Sequence, residues 1–399
     1  MELLQEFFAR EAPRMTALAD QIWSLAELRY AETASAQLHI DALAAAGFRI
    51  TRNVADIPTA FLAEWGEAGP VIAFLGEYDA LSGLNQQSGA LVCTPSVDSP
   101  GAAGHGCGHH LLGTSAHFAA VALQAHLRAS GQKARVRYYG CPAEEGGSGK
   151  TFMARAGVFD DVDVALTWHP ASHSGVFGES TLANIQAKFV FHGKASHAAH
   201  SPHLGRSALD AVELMNVGWN FRREHLRTQQ RSHYVVTAGG DQPNVVPPMA
   251  SVWYYFRETD YAVVKQLWDI GTRIAEGAAM MTDTRLERMR VLGAAWPQHM
   301  NRPVAEAMTA NIKAVGLPAW SEADQALAMI AATAKPAAET EACLDAAYLG
   351  APRAVEVVGY LAGMPIPGEP PEPAEGEKRK LPPPPKPEQG GASPCWKPQ

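Results

Sequence analysis

The sequence predicts an α/β protein: a largely parallel sheet, with a second domain of βαββαβ order inserted in it. Three observations carry that prediction. Short apolar runs alternate with helical periodicity up to residue 184, as in a sheet covered by helices on both faces. From 185 the order becomes strand, helix, two strands, helix, strand, which is a ferredoxin-like sandwich. From 365 the composition changes again, with twelve of the 28 prolines falling in 365–399, a stretch that includes the four-proline run 382–385.

Taken in order, residues 1–47 read as helix, because Leu18, Ile22, Leu25 and Leu28 recur at three- and four-residue spacing and Leu38 to Leu43 follow before Gly47. Residues 60–63 and 71–75 read as strands, the second nearly all apolar as in a central position. A helix over 110–128, a strand over 134–139, a short helix over 151–156 and a strand over 164–168 complete the first domain. The inserted domain has strands over 185–191, 233–238, 251–256 and 284–292 and helices over 206–225 and 261–281. The predicted boundaries are 1–184 for the first part of the first domain, 185–297 for the insert, 298–364 for an atypical return to the first domain, and 365–399 for a proline-rich, disordered or extended segment. A proline-recognising partner for that segment is weighed less than a solvated tail.

Composition excludes several function classes. The net charge of -8 offers no basic surface for nucleic acid. No apolar run approaches the roughly 18 residues of a membrane span. The N-terminal stretch MELLQEFFAREAPRM lacks a signal-peptide pattern. Five cysteines at irregular spacing make no disulfide framework, which favours a reducing, cytoplasmic compartment.

The chemistry is concentrated in three segments. Gly104 to His110 packs one thiol and three imidazoles into GHGCGHH. Cys107 and His109 can face one ion if the backbone turns between them, which Gly106 and Gly108 permit. The competing structural reading is a histidine-rich helix start with a buried cysteine, and His105 and His110 are each read as a spectator or as a group that orients a ligand. Glu144-Glu145 sits between an aromatic strand and a Gly-Gly turn, where two adjacent acids suit one metal ligand and one proton acceptor for an activated water. His169 follows the strand over 164–168. Asp79, Glu144/Glu145 and His169 all lie just past the C-terminal end of a predicted strand, the edge at which open α/β sheets bind ligands. Asp79 itself is read as a helix cap or as an acceptor that orients a ligand histidine. The run EEGGSGKT misses the phosphate-loop pattern by its first glycine, and two acids at its mouth would repel phosphates. In the insert, His197, Asn244 and Arg257 suit a substrate carboxylate, and each also has an ordinary structural reading.

These residues resemble the aminoacylase-like, di-metal amidohydrolases and exopeptidases. The matching passages are GEYDALSGL, GHGCGHHLLGT, YGCPAEEGGSGKTFM, GVFDDVDVALTWHP, LANIQA, SPHLGRSALDAVELM and PNVV, spread over about residues 15 to 330. The resemblance implies a catalytic α/β domain holding two divalent ions, zinc or manganese, and an inserted lid that also forms the dimer interface. It implies Cys107, His109, Glu145 and His169 as metal ligands, Glu144 as general base and Asp79 as the acid behind a ligand. It also implies His197, Asn244 and Arg257 as lid residues that hold the substrate, the histidine often reaching the partner subunit's site. The implied reaction is hydrolysis of an amide in a carboxylate-bearing N-acyl or N-aroyl amino acid such as p-aminobenzoyl-glutamate, by a homodimer or a heteromer with a related subunit. Two departures stand out. His110 occupies a position where the family more often has Asp or Asn. The family also has a further metal-binding histidine near its end, whereas no histidine occurs here after His299 and the likeness fades near Asp324. One ion is therefore expected to be weak or absent, and a catalytically impaired relative that serves as a binding or partner subunit is the alternative function.

Overall fold

The helical periodicity of residues 1–47 resolves into two helices. The structure, a computed structural model, describes residues 2–326 apart from 89, 91–93, 97–101, 172–174, 177–180, 288 and 317–318, all within one compact unit spanning 1–334. The predicted tail 365–399, and the 298–364 segment beyond 326, lie outside the described residues. α1 (Glu2–Leu25) stops where Ala26 turns left-handed, and α2 (Thr33–Ala45) follows a loop in which Tyr30 is left-handed too. Glu27 starts α2, accepting from the Ala34 and Ser35 N–H groups and the Ser35 hydroxyl and so satisfying donors that a helix start leaves free.

The first sheet has the order β1-β2-β4-β3-β5, with β1 (Arg49–Arg52), β2 (Phe61–Trp65), β3 (Val71–Gly76), β4 (Arg135–Gly140) and β5 (Val164–Leu166). The α/β class holds, but parallel pairing is confined to β3 with β4 and β3 with β5; β1–β2 and β2–β4 are antiparallel. The reason is connection length. β3 returns to β4 through α3 (His109–Ser130), which allows a parallel crossover, whereas β1 and β2 are joined by a short connection that reverses the chain. β1 escaped the sequence reading because Arg49-Ile50-Thr51-Arg52 is an exposed edge with one apolar residue. α1, α2 and α3 bury one face of the sheet, with Phe7, Ile22, Leu43 and Ala120 against Phe61, Val136 and Tyr138. The opposite face is smaller, with Ile57, Ala73, Tyr139 and Cys141 against Met153 of α5 (Gly149–Arg155), which follows the one-turn α4 (Glu144–Gly147). Within the first layer His39 of α2 and His117 of α3 are fully buried, with their Nδ1 atoms 3.1 Å apart. Burial pushes both imidazoles down, His39 to about 3, so the pair is neutral in the fold.

The second sheet has the order β10-β6-β8-β7, all antiparallel, which is the ferredoxin-like arrangement. Its members are β6 (Ala183–His192), β7 (Arg231–Ala238), β8 (Met249–Glu258) and β10 (Arg290–Ala295). The single strand expected over 284–292 is broken: β9 (Arg285–Leu286) and β10 pair with different parts of β6, and a register shift falls between Val291 and Gly293. α6 (Ala208–Arg223) and α7 (Tyr261–Met281) cover one face. Ser207 caps the first by accepting from Asp210 N–H, and Asp260 caps the second by accepting from Ala262 and Val263 N–H. Trp219, Phe189, Tyr254 and Phe256 fill the core between them, each fully buried. At about 1.5–3 kcal/mol per large apolar side chain as an upper bound, this cluster supports a domain with its own core. Strand alternation leaves Asn184, Gln186, Trp253, Tyr255 and Arg257 on the other face, towards the first domain.

Candidate metal centre and the cavity beside it

Four chain segments meet at the carboxyl ends of β3, β4 and β5. Leaving β3, Glu77 and Asp79 alternate with the buried Tyr78 and so share one side. The Gly104–Gly108 turn delivers Cys107 and starts α3 at His109. Of the two glycines flanking Cys107, Gly108 is the one in the left-handed region (φ 77°), and a Cβ there would also stand 2.8 Å from Pro170. The exit of β4 carries Glu144 and Glu145, and the exit of β5 carries His169.

His109 is the hub. Its Nδ1 lies 3.0 Å from Asp79 Oδ1, while Asp79 Oδ2 accepts from Glu145 N–H at 2.8 Å, so one carboxylate ties the imidazole to the acidic turn. Around His109 Nε2 lie Glu77 Oε2 at 3.1 Å, Glu145 Oε1 at 3.9 Å and Glu144 Oε2 at 4.0 Å. Cys107 Sγ sits 3.2 Å from His169 Nε2. Two overlapping groups have ligand atoms within 4.8 Å of one another: Cys107, His109 and His169; and Glu77, His109 and Glu144. His109 Nε2 is buried and, although Glu77 Oε2 stands 3.1 Å away, makes no hydrogen bond of good geometry, an arrangement that a cation among these thiol, imidazole and carboxylate donors completes.

Electrostatics bind the cluster together. Burial alone would depress the His109 imidazole, but Asp79, Cys107 and Glu77 outweigh it and push it up to about 11. Contact with Cys107 raises His169 to about 9, and the two histidines lower the Cys107 thiol in return. Burial, and then the charge of Glu77, raise the Glu144 carboxyl above the usual range, as suits a group that exchanges protons. Lys150 forms an ion pair with Glu77.

The acidic turn is held under strain. Ala143 and Ser148, on either side of it, are both left-handed (φ 57°), a conformation that costs on the order of 1–3 kcal/mol for a residue with a side chain. The α1–α2 loop restrains the turn. Glu32, fully buried, accepts from Ala143 N–H at 2.8 Å, and Tyr30 donates its hydroxyl to Gly147 O at 2.6 Å. Burial pushes the Glu32 carboxyl up to about 7.

Beside the turn lies a cavity of about 180 Å³, lined by Glu144, Glu145, Lys150, Asn184, Gln186 and Arg257 among others. Arg257 stacks on Tyr255 and has no carboxylate partner among the described residues. The lid meets the turn closely: a Cβ on Gly146 would lie 3.1 Å from the Tyr255 hydroxyl. Asp79, Cys107, His109, Glu144, Glu145 and His169 therefore converge, with Arg257 across the cavity. His197 and Asn244 do not join them. They occupy two exposed loops that pair with each other, through the His197–Val245 bridge and Ala198 N–H to Asn244 O. Eight residues of β8, about 26 Å of extended chain, separate the start of that strand beside Asn244 from Arg257. His105 and His110 pack on Trp23 of α1. Sequence reasoning missed Glu77, Lys150 and Glu32; for Glu77 a signal existed in its two-residue spacing from Asp79.

The profile of a peptidase dimerisation domain, that of the M20 peptidases, matches residues 181–279. The chain is 52% identical over 316 residues to a p-aminobenzoyl-glutamate hydrolase subunit of Escherichia coli (strain K12), covering 79% of this chain and 65% of that protein, so it spans just under two thirds of that relative. It is 31% identical over 323 residues to Xaa-Arg dipeptidase of Mus musculus, covering 78% of this chain and 70% of that one. The fold matches that of an aminobenzoyl-glutamate utilization protein from Klebsiella pneumoniae with a TM-score of 0.61 at 22% identity, over 79% of this chain and 84% of the other. A relative of this identity and coverage, with the dimerisation domain in place, shows that the chain belongs to the M20 peptidase family.

Proposed function

We propose that this chain is a metal-dependent amidohydrolase that cleaves carboxylate-bearing N-acyl or N-aroyl amino acids of the p-aminobenzoyl-glutamate kind. The observation that carries the reading is the grouping of Cys107 and His169, and of Glu77 and Glu144, within ligand distance of His109, with Glu145 Oε1 3.9 Å from its buried Nε2. The likeness to a p-aminobenzoyl-glutamate hydrolase subunit supports the choice of substrate. Cys107, His109, Glu145 and His169 would hold divalent ions, zinc or manganese, and Glu77 is near enough to His109 to contribute. When bound, such ions polarise the scissile carbonyl and acidify the attacking water. Glu144 takes the proton from that water and returns it to the departing nitrogen. Asp79 fixes the His109 ring, and Arg257 takes the substrate carboxylate.

The lid would pair two chains. Leu214, Val217 and Phe221 form an exposed apolar stripe on α6 at helical spacing, and β7 is an edge strand with Val235 and Val236 exposed. In such a dimer His197 and Asn244 of one chain would serve the centre of the other. A heteromer with a related subunit uses the same surface. No helix among the described residues is long and apolar enough to cross a membrane, and the free Cys107 and Cys141 suit a reducing, cytoplasmic setting. The test is metal analysis of the purified protein with an assay of p-aminobenzoyl-glutamate cleavage. The wild type is expected to carry divalent metal and turn over. Glu144→Gln should keep the metal and lose about 10²–10⁴-fold in kcat. No bound metal and no turnover in a folded protein would exclude the reading. Metal and substrate binding without turnover would favour a non-catalytic partner subunit.

A further inference from the structure

The cavity beside the acidic turn has more recognition chemistry than a carboxylate on Arg257 can use. Asn184 and Arg257 are direct cross-strand partners on β6 and β8, and Gln186 and Tyr255 are the next pair on the same face. Ile185 and Phe256, between them, turn the other way into the lid core. Three buried atoms in this wall lack a hydrogen-bond partner: Arg257 Nε, Asn184 Oδ1 and Gln186 Oε1. The Gln186 amide nitrogen donates to Ser148 Oγ at 3.3 Å, and its oxygen has no partner. A bare carboxylate satisfies the guanidinium and neither amide oxygen. The two oxygens call for a ligand that also carries N–H donors.

Size and charge narrow the ligand further. About 180 Å³ is below the ~300–1,000 Å³ of sites that hold whole drug-sized molecules, so the cavity takes one half of an N-acyl amino acid. Arg257 selects the half that bears the carboxylate. Hydrolysis changes what that half offers. Water adds its hydroxyl to the acyl carbon, the C–N bond breaks, and the nitrogen receives water's other proton through Glu144 and a second from the new carboxylic acid. It leaves as an ammonium with three N–H donors, where the amide had one, and the acyl half leaves as a carboxylate.

We propose that Asn184, Gln186 and Arg257 form a subsite for the free zwitterionic α-amino acid product. Arg257 takes the carboxylate, the two amide oxygens accept from the ammonium, and the amino acid leaves after the acyl acid. The identity of the ligand as the amine half rests on the amidohydrolase reading. The site is thus better matched to the product than to the same half of the substrate, and free amino acid inhibits the enzyme.

The experiment is calorimetric binding of glutamate and of glutarate, which lacks the amine, to the metal-loaded wild-type dimer, with p-aminobenzoyl-glutamate turnover measured in parallel. Glutamate is expected to bind about tenfold or more tightly than glutarate. Asn184→Leu and Gln186→Leu should each shrink that ratio, and Arg257→Met should weaken both ligands alike. Equal binding of glutamate and glutarate by the wild type, which needs no variant to fold, overturns the subsite, as does a ratio untouched by both substitutions. A glutamate preference without turnover supports the subsite and removes the hydrolase reading. Turnover without the preference removes the subsite alone.

Discussion

The two ends of the lid sheet do different work on the same scaffold. At one end Asn184, Gln186, Tyr255 and Arg257 face the Glu144–Ser148 turn of their own chain, with three buried polar atoms unpaired. At the other, His197 and Asn244 are exposed, pair their loops with each other, and line neither the cavity nor either metal group among the described residues. One end is buried and chemically unfinished, which marks a ligand site. The other is open and held together locally, which suits delivery to another chain. In the proposed dimer the lid would serve two centres, one near each end of its sheet.

The largest effect on that contrast comes from Arg257. Arg257→Met should cost about ten- to hundredfold in kcat/KM, mainly through KM, because a charge-assisted contact to the substrate carboxylate is worth about 1.5–3 kcal/mol. Shortening the substrate to one without that carboxylate should abolish the difference between wild type and variant in steady-state kinetics.

A smaller loss is expected at the restraint on the acidic turn. Glu32→Ala removes the acceptor of Ala143 N–H and releases a left-handed residue, so kcat should fall about tenfold with KM little changed. Glu32→Gln keeps an acceptor oxygen and should restore most of the rate. A loss that tracks melting temperature equally in both variants would mean that Glu32 only stabilises the fold.

The smallest effect on activity, visible instead in stability, belongs to the His39–His117 pair, whose rings are fully buried in the helical layer. His39 is held down to about 3 in the fold, against about 6.5 in the unfolded chain, so between these values the unfolded chain binds more protons. The stability this supports is complete above about pH 6.5 and is lost as pH falls towards 3, by about 2 kcal/mol between pH 7 and pH 5. His117→Gln should flatten the acid limb of the melting-temperature profile. An unchanged profile would show that the pair does not govern acid stability.

Much of this was legible in the sequence because the strands end where the chemistry begins. Asp79, Glu144, Glu145 and His169 each follow an apolar run, and the spacing of Cys107 and His109 marks a turn into a helix. The alternation of strand and helix placed the lid. Apart from β1 and Glu77, what escaped depends on contact between segments distant in sequence. Glu32 meets Ala143 across 111 residues, and His39 meets His117 across 78, so neither pairing leaves a local pattern. Asn184 and Gln186 alternate with apolar residues, which in a sequence reads as a solvent-facing side of a strand, whereas here that side faces the catalytic turn. The mixed character of the first sheet was hidden for the same reason: pairing of β2 with β4 is set by tertiary packing.

Complementation between two inactive variants tests the division of the lid most directly. Glu144→Gln disables a chain's own centre, and His197→Ala disables the end of the lid proposed to serve its partner. Each homodimer should be nearly inactive towards p-aminobenzoyl-glutamate, while mixed dimers, formed by co-expression and isolated with two different tags, should regain turnover at the one centre that combines an intact Glu144 with the partner's intact His197. Mixed dimers as inactive as their parents, although folded, metal-loaded and dimeric, would contradict the account.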